Sequence, residues 1–206
     1  MSAVAAQESI GPEGRFAGTR ARIPELPGSL PTLAAGVSAV YPGLGPCRIC
    51  RVVTREVNGR AMMFYQLSVM DDRGGDLFVP VEKALAIGVR LLMKRSEIPE
   101  LMAQLKNPAK SADNWKQRAN DNLKLLGSGS PFDLAMIVAS LTRLQEHRTL
   151  TLGESGTLGR ARRLLVCEIS EVTGETRKTA EERVDQALNT GITMLRLNDS
   201  SLIRTG

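Results

Sequence analysis

The sequence predicts an α+β protein, a small antiparallel β-domain followed by a compact all-α domain. Three observations carry this reading. Short β-like runs broken by turn pairs fill residues 37 to 92, and after Ser96 the apolar residues recur every three or four positions instead. Aromatic residues make up only 3% of a chain that is 42% apolar. The cores must therefore be built from Leu, Val, Ile, Met and Ala, which favours helices over much of the length.

Residues 1–35 contain four of the ten prolines, four glycines, and three arginines balanced by three glutamates, with no hydrophobic period. This composition predicts a disordered arm without a core of its own. The runs "VSAVY", "CRICRVVTREV", "AMMFYQLSVM" and "DLFVPV" follow, separated by Pro42-Gly43, Asn58-Gly59 and Gly74-Gly75. Asn-Gly between alternating runs is the strongest short-range hairpin signal, so residues 36–94 read as a strongly bent antiparallel sheet or barrel.

Residues 95–190 read as helical. In "PFDLAMIVASLTRLQEHR", Leu134, Ile137, Val138, Leu141 and Leu144 line one face, and Pro131 suits the first turn. Leu158, Ala161, Leu165, Ile169 and Val172 line a second helix that Gly174 stops. "EIPELMAQLK", "NWKQRANDNLKLL" and "TAEERVDQAL" supply three more. Residues 191–206 carry weak signals and read as a tail.

Composition narrows the function. The 27 Lys+Arg against 22 Asp+Glu give +5, a mild excess that suits a polyanionic partner without requiring one. Cys47, Cys50 and Cys167 are too few for a disulfide scaffold, which points to a reducing, cytoplasmic setting. The start "MSAVAAQESIGPEG" has no charged leader and apolar run, so no secretory signal is expected, and no 18-residue apolar stretch suggests a membrane span.

Catalytic and metal motifs are weak. Cys47 and Cys50 form a CxxC, but within a strand residues three apart point to opposite faces, and zinc would need two further ligands. His147, the sole histidine, falls at the polar end of a helix with no neighbouring nucleophile, where helix-terminus electrostatics is the simpler role. "GLGPC" and "GESGTLG" match neither a dinucleotide nor a phosphate loop. The expectation is a protein with no catalytic residues, no metal and no cofactor.

The basic positions are more informative. Arg160 and Arg163 fall opposite the apolar stripe of their helix, free to meet phosphate. Trp115, the only tryptophan, stands beside Lys116 and Arg118. A core tryptophan hides ~150–250 Å² on an apolar stripe. Here the helical neighbours are Arg118, Ala119 and Asn122, so the indole is expected to be partly exposed on a polar surface.

The blocks "VYPGLGPCRI", "FYQLSVMD", "LFVPVEKALAIGVR", "NWKQRANDNLKLLGSGSPFDLAMIVASL" and "GRARRLLVCEIS", in this order over residues 36–173, resemble the CarD/CdnL family of bacterial transcription regulators. The resemblance implies a Tudor-like β-domain that binds the RNA polymerase β subunit, and a helical domain that stabilises the promoter open complex at the upstream edge of the bubble. It also implies a non-enzymatic protein that is monomeric when free and reaches the nucleoid through polymerase. By the same resemblance, Trp115, Lys116, Arg118, Lys124, Arg160 and Arg163 would contact promoter DNA, and Arg55, Phe78 and Pro80 would contact polymerase. Two departures matter: Ser155-Gly156 replaces a Lys-Arg pair of many relatives, and Phe78 stands where some carry a docking arginine, leaving more of that task to Arg55. The rival reading is a protein adaptor that binds polymerase without touching DNA.

Overall fold

The computed structural model describes residues 33–70, 74–107 and 114–203, with side chains described through Met194. Residues 1–32 of the expected arm and 204–206 of the expected tail lie outside the described residues.

Five antiparallel strands form one sheet in the order β4-β3-β2-β1-β5. They are β1 (Ser38–Tyr41), β2 (Gly45–Val57), β3 (Arg60–Val69), β4 (Asp76–Pro80) and β5 (Arg90–Leu91). The Asn58-Gly59 signal is realised as a two-residue hairpin in which Val57 pairs with Arg60. Both turn residues have positive φ, 53° and 74°, the backbone that asparagine and glycine adopt most easily. The register shifts between Ile49 and Arg51. Such a bulge bends the strand and increases its twist. Before it, β2 buries Cys47 and Ile49; beyond it, β2 is mostly exposed and projects as an arm with β3.

The short edge strand β5, which pairs with β1, was not anticipated. Two residues are too few to show a period. The boundary of the arm also needs correction: Leu33 is buried in the sheet core with Ala39, Cys47, Ile49, Leu67 and Val79, so residues up to 35 are not all coreless. Gly36 N–H donates to Ile49 O at 2.7 Å, tying this entry segment to β2.

After the four-residue α1 (Ala84–Ile87), the helices are α2 (Ile98–Lys106), α3 (Trp115–Ser128), α4 (Pro131–His147), α5 (Leu152–Thr173) and α6 (Arg177–Ile203). Each expected helix is present. Pro131 occupies the first turn of α4 and Gly174 ends α5. A second core gathers Leu101, Leu105, Ile137, Val138, Leu141, Leu165, Ile169 and Val184. The C-terminal half of α5 buries every residue from Leu164 to Ser170, because α4, α6 and β2 all pack against that helix. The expected tail is helical backbone as far as Ile203. α6 passes the end of α2 so closely that a Cβ on Gly191 would stand 2.2 Å from Lys106 O. Glycine, which reads as a weak helix signal, is what permits the crossing. Among the described residues no helix is long and apolar enough to cross a membrane.

Candidate nucleic-acid and polymerase interfaces

α3 begins at Trp115 because Asn114 caps it: its side-chain oxygen accepts from Lys116 N–H at 2.9 Å. Trp115 thus stands at the first helical position and is 62% exposed. Lys116 Nζ lies 5.7 Å from the centroid of the indole, within cation–π range. The first-turn N–H groups and the lysine make this end of α3 electropositive.

The residues in line with Trp115 along α3 are not the polar surface expected from the sequence. Arg118 is 7% and Asn122 6% exposed, and Leu126 is buried below them. This is the packing face of α3, and Trp115 escapes burial because it lies at the helix end. Arg118 is therefore a correction: it points inward, and its Nε and Nη2 donate to Glu154 Oε1 at 3.2 and 3.1 Å. A guanidinium so buried needs a counterion, and the fold supplies one 36 residues away.

Glu154 is the hub of this cluster and was missed by the sequence reading. It also accepts from Arg148 Nη2 at 2.7 Å and from Thr151 N–H and Oγ1 at 3.0 and 3.1 Å. The hydrogen bond from Arg148 is the largest influence on its carboxyl and, with those from Thr151 and Arg118, outweighs burial and lowers the pKa to about 2. Its signal was present in "TLGE": Thr151 N-caps α5 and Glu154 closes the box at the third position. Because Glu154 opens α5 and Arg118 sits one turn into α3, the pair fastens the two helix starts together, with Trp115 at their rim. Leu123 and Leu152 are also exposed, at 64% and 93%.

The other expected DNA contacts are scattered. Lys124 is exposed, but nine residues at about 100° each place it roughly half a turn round α3 from Trp115. Arg160 stays exposed, with one of its donors, Nη2, bonded to Gly43 O in the β1–β2 turn at 3.0 Å. Arg163 is exposed, while Arg162 beside it pairs with Glu181 and Asp185 of α6.

On the sheet, Arg55 and Phe78 come together although they belong to β2 and β4. The Arg55 guanidinium lies 3.5 Å from the centroid of the Phe78 ring. Pairing of Val53 with Phe64, Phe64 with Pro80 and Gln66 with Phe78 puts these side chains on one face. Arg51 donates to Gln66 Oε1 at 2.8 Å and Gln66 to Asp76 Oδ2 at 2.7 Å, a polar border for the same face. β4 is an edge strand, the place where a proline such as Pro80 is tolerated.

The two cysteines of the CxxC diverge, Cys47 fully buried and Cys50 exposed. Cys47 donates to Ala39 O at 3.4 Å, and burial pushes its thiol up to about 11. His147 lies in the last turn of α4.

The family model described as CarD, C-terminal domain, matches residues 89–185, from just before β5 to about a third of the way along α6. The matched stretch contains Trp115, Arg118, Glu154 and Arg160. CarD proteins are regulators rather than enzymes and are associated with RNA polymerase. With its helical half matched in this way and joined to the five-stranded sheet in the order its sequence blocks predict, the chain belongs to the CarD/CdnL family of bacterial transcription regulators.

Proposed function

We propose that the sheet binds the RNA polymerase β subunit through Arg55, Phe78 and Pro80, and that the helical part stabilises the promoter open complex through Trp115 at the upstream edge of the bubble. The observation that carries the reading is the indole held 62% exposed at a capped helix start, with Lys116 over its ring. A junction between duplex and bubble is already unstacked, so an aromatic wedge stacks there without meeting the full cost of opening, and stacking is worth ~1–3 kcal/mol. Lys116 and Arg163 are the cations best placed to meet phosphate. Arg118 is buried against Glu154, so it serves by holding the Trp115 end of α3 and not by contacting DNA.

Arg55→Glu tests the polymerase half. The substitution removes the cation stacked on Phe78 and reverses the charge of the face, so it should weaken capture of the isolated β-subunit lobe and abolish promoter effects with it. Unchanged capture would move the interface elsewhere. The adaptor reading gains from the burial of Arg118, which takes one of the five expected cations away from the surface. Protection of DNA at the upstream bubble edge, in a footprint with polymerase and promoter present, separates the two: the adaptor predicts none.

A further inference from the structure

Between sheet and helices lies a carboxylate that neither proposed contact surface uses. Glu168 stands in the fully enclosed part of α5 and is 1% exposed. A carboxylate so far from water persists only with donors on its oxygens. Arg90 of β5 supplies the parallel fork, Nη1 to Oε1 and Nη2 to Oε2, both at 2.7 Å, and Met93 N–H adds a third at 3.0 Å. Arg90 reaches further: Nε and Nη2 donate to Gly129 O at 2.9 and 2.5 Å, and Nη1 to Leu91 O at 2.9 Å.

One ion pair therefore joins four segments. β5 pairs with β1 of the sheet that carries Arg55; Met93 leads toward α2; Gly129 caps the end of α3; Glu168 belongs to α5. At their other ends α3 and α5 are fastened by Arg118 and Glu154, beside Trp115. Fastened at both ends, α3 and α5 would move as a single lever about the point where they meet Arg90. From Glu168 to Glu154, fourteen residues at ~1.5 Å each make that lever ~21 Å long. A tilt of ~10° at the pivot would carry the Trp115 end ~3–4 Å, about the thickness of one stacked base.

We propose that Glu168 is a positioning residue: through Arg90 it sets the angle at which the helices leave the sheet, so that docking of the sheet determines where Trp115 stands. This rests on the reading of sheet and indole as the two contact points. Packing of α5 on β2 holds the helices against the sheet, and the fork adds direction to that contact. Arg160 to Gly43 O is a single exposed hydrogen bond. The Arg90–Glu168 fork sets two parallel bonds on a carboxylate that is 1% exposed, the geometry that defines direction as well as distance.

The test uses the full chain with Cys50→Ser and spin labels on Glu82→Cys and Gln145→Cys, both exposed positions, and measures the inter-label distance distribution in the free protein. Glu168→Gln keeps the shape but sets an amide against the fork. Arg90→Lys keeps the charge but loses the fork and the paired bonds to Gly129, and serves if the first variant fails to fold. The expected result is a broader distribution in either variant, with cooperative melting and β-lobe capture retained, and an open-complex lifetime about three- to tenfold shorter. An unchanged distribution overturns the proposal, and so does a broadened one with a wild-type lifetime. Loss of cooperative melting or of β-lobe capture in both variants assigns Glu168 to folding alone and overturns it as well. If Trp115→Ala in the otherwise native chain leaves the lifetime unchanged, the DNA reading itself fails, while the distance distributions still report on the lock.

Discussion

Replacing Trp115 with alanine separates a structural tryptophan from a DNA wedge. At 62% exposure, about two-fifths of a ~250 Å² side chain is covered, ~95 Å², so at ~25 cal/mol/Å² the truncation removes at most ~2 kcal/mol of stability. That value is an upper bound, because unfolded chains already cover some of their apolar surface; about 1 kcal/mol, or ~2–4 °C in melting temperature, is the expectation. A fully buried tryptophan would cost about 3–5 kcal/mol. In the open complex the same truncation removes stacking worth ~1–3 kcal/mol, and ~1.4 kcal/mol corresponds to a tenfold shorter lifetime. Trp115→Phe should recover part of the loss, since a smaller ring still stacks. The assays are promoter-complex lifetime after competitor challenge and thermal melting of the free protein. A normally stable alanine variant with wild-type lifetime would remove Trp115 from the mechanism. A steep fall in melting temperature, with every activity lost together, would make it a structural plug.

Three further expectations follow from the packing. Glu154 has its pKa lowered from 4.5 to about 2, so its stabilising contribution is complete above about pH 4.5 and is lost as the pH falls toward 2. Glu154→Gln should flatten the acid limb of the stability profile in that window and, by leaving buried Arg118 without a counterion, cost ~3 kcal/mol at pH 7; an unchanged denaturation midpoint would contradict the cluster. Gly191→Ala gains ~1 kcal/mol on helix propensity but sets a Cβ 2.2 Å from Lys106 O, so a net loss of ~1–3 kcal/mol is expected, and a raised melting temperature would refute the close crossing of α2 and α6. Leu33→Ala should destabilise by ~2–4 kcal/mol in urea unfolding, as a core residue would, whereas a residue of a coreless arm would leave the midpoint where it was.

What the sequence determined by itself is what near neighbours control. The Asn58-Gly59 hairpin follows from backbone preferences of two adjacent residues, the α4 stripe from a period of three to four, and the end of α5 from Gly174. The order of sheet and helices was legible for the same reason, and so was the exposure of Trp115, although its cause was not. The sequence suggested a polar surface around the indole, whereas Arg118 and Asn122 are the packing face and the indole is simply beyond its end.

Tertiary structure decided the fate of the charged side chains. An arginine on a helix face has nearly the same local signature whether it meets water, phosphate or a buried carboxylate; the outcome depends on which group the fold brings within about 3 Å. Arg118 found Glu154 across 36 positions, Arg160 found Gly43 across 117, and Arg90 found Glu168 across 78. Leu33, the two-residue β5 and Gly191 were equally illegible, because a single buried leucine, a strand too short for a period and a glycine at a helix crossing acquire their meaning only from a partner distant in the chain.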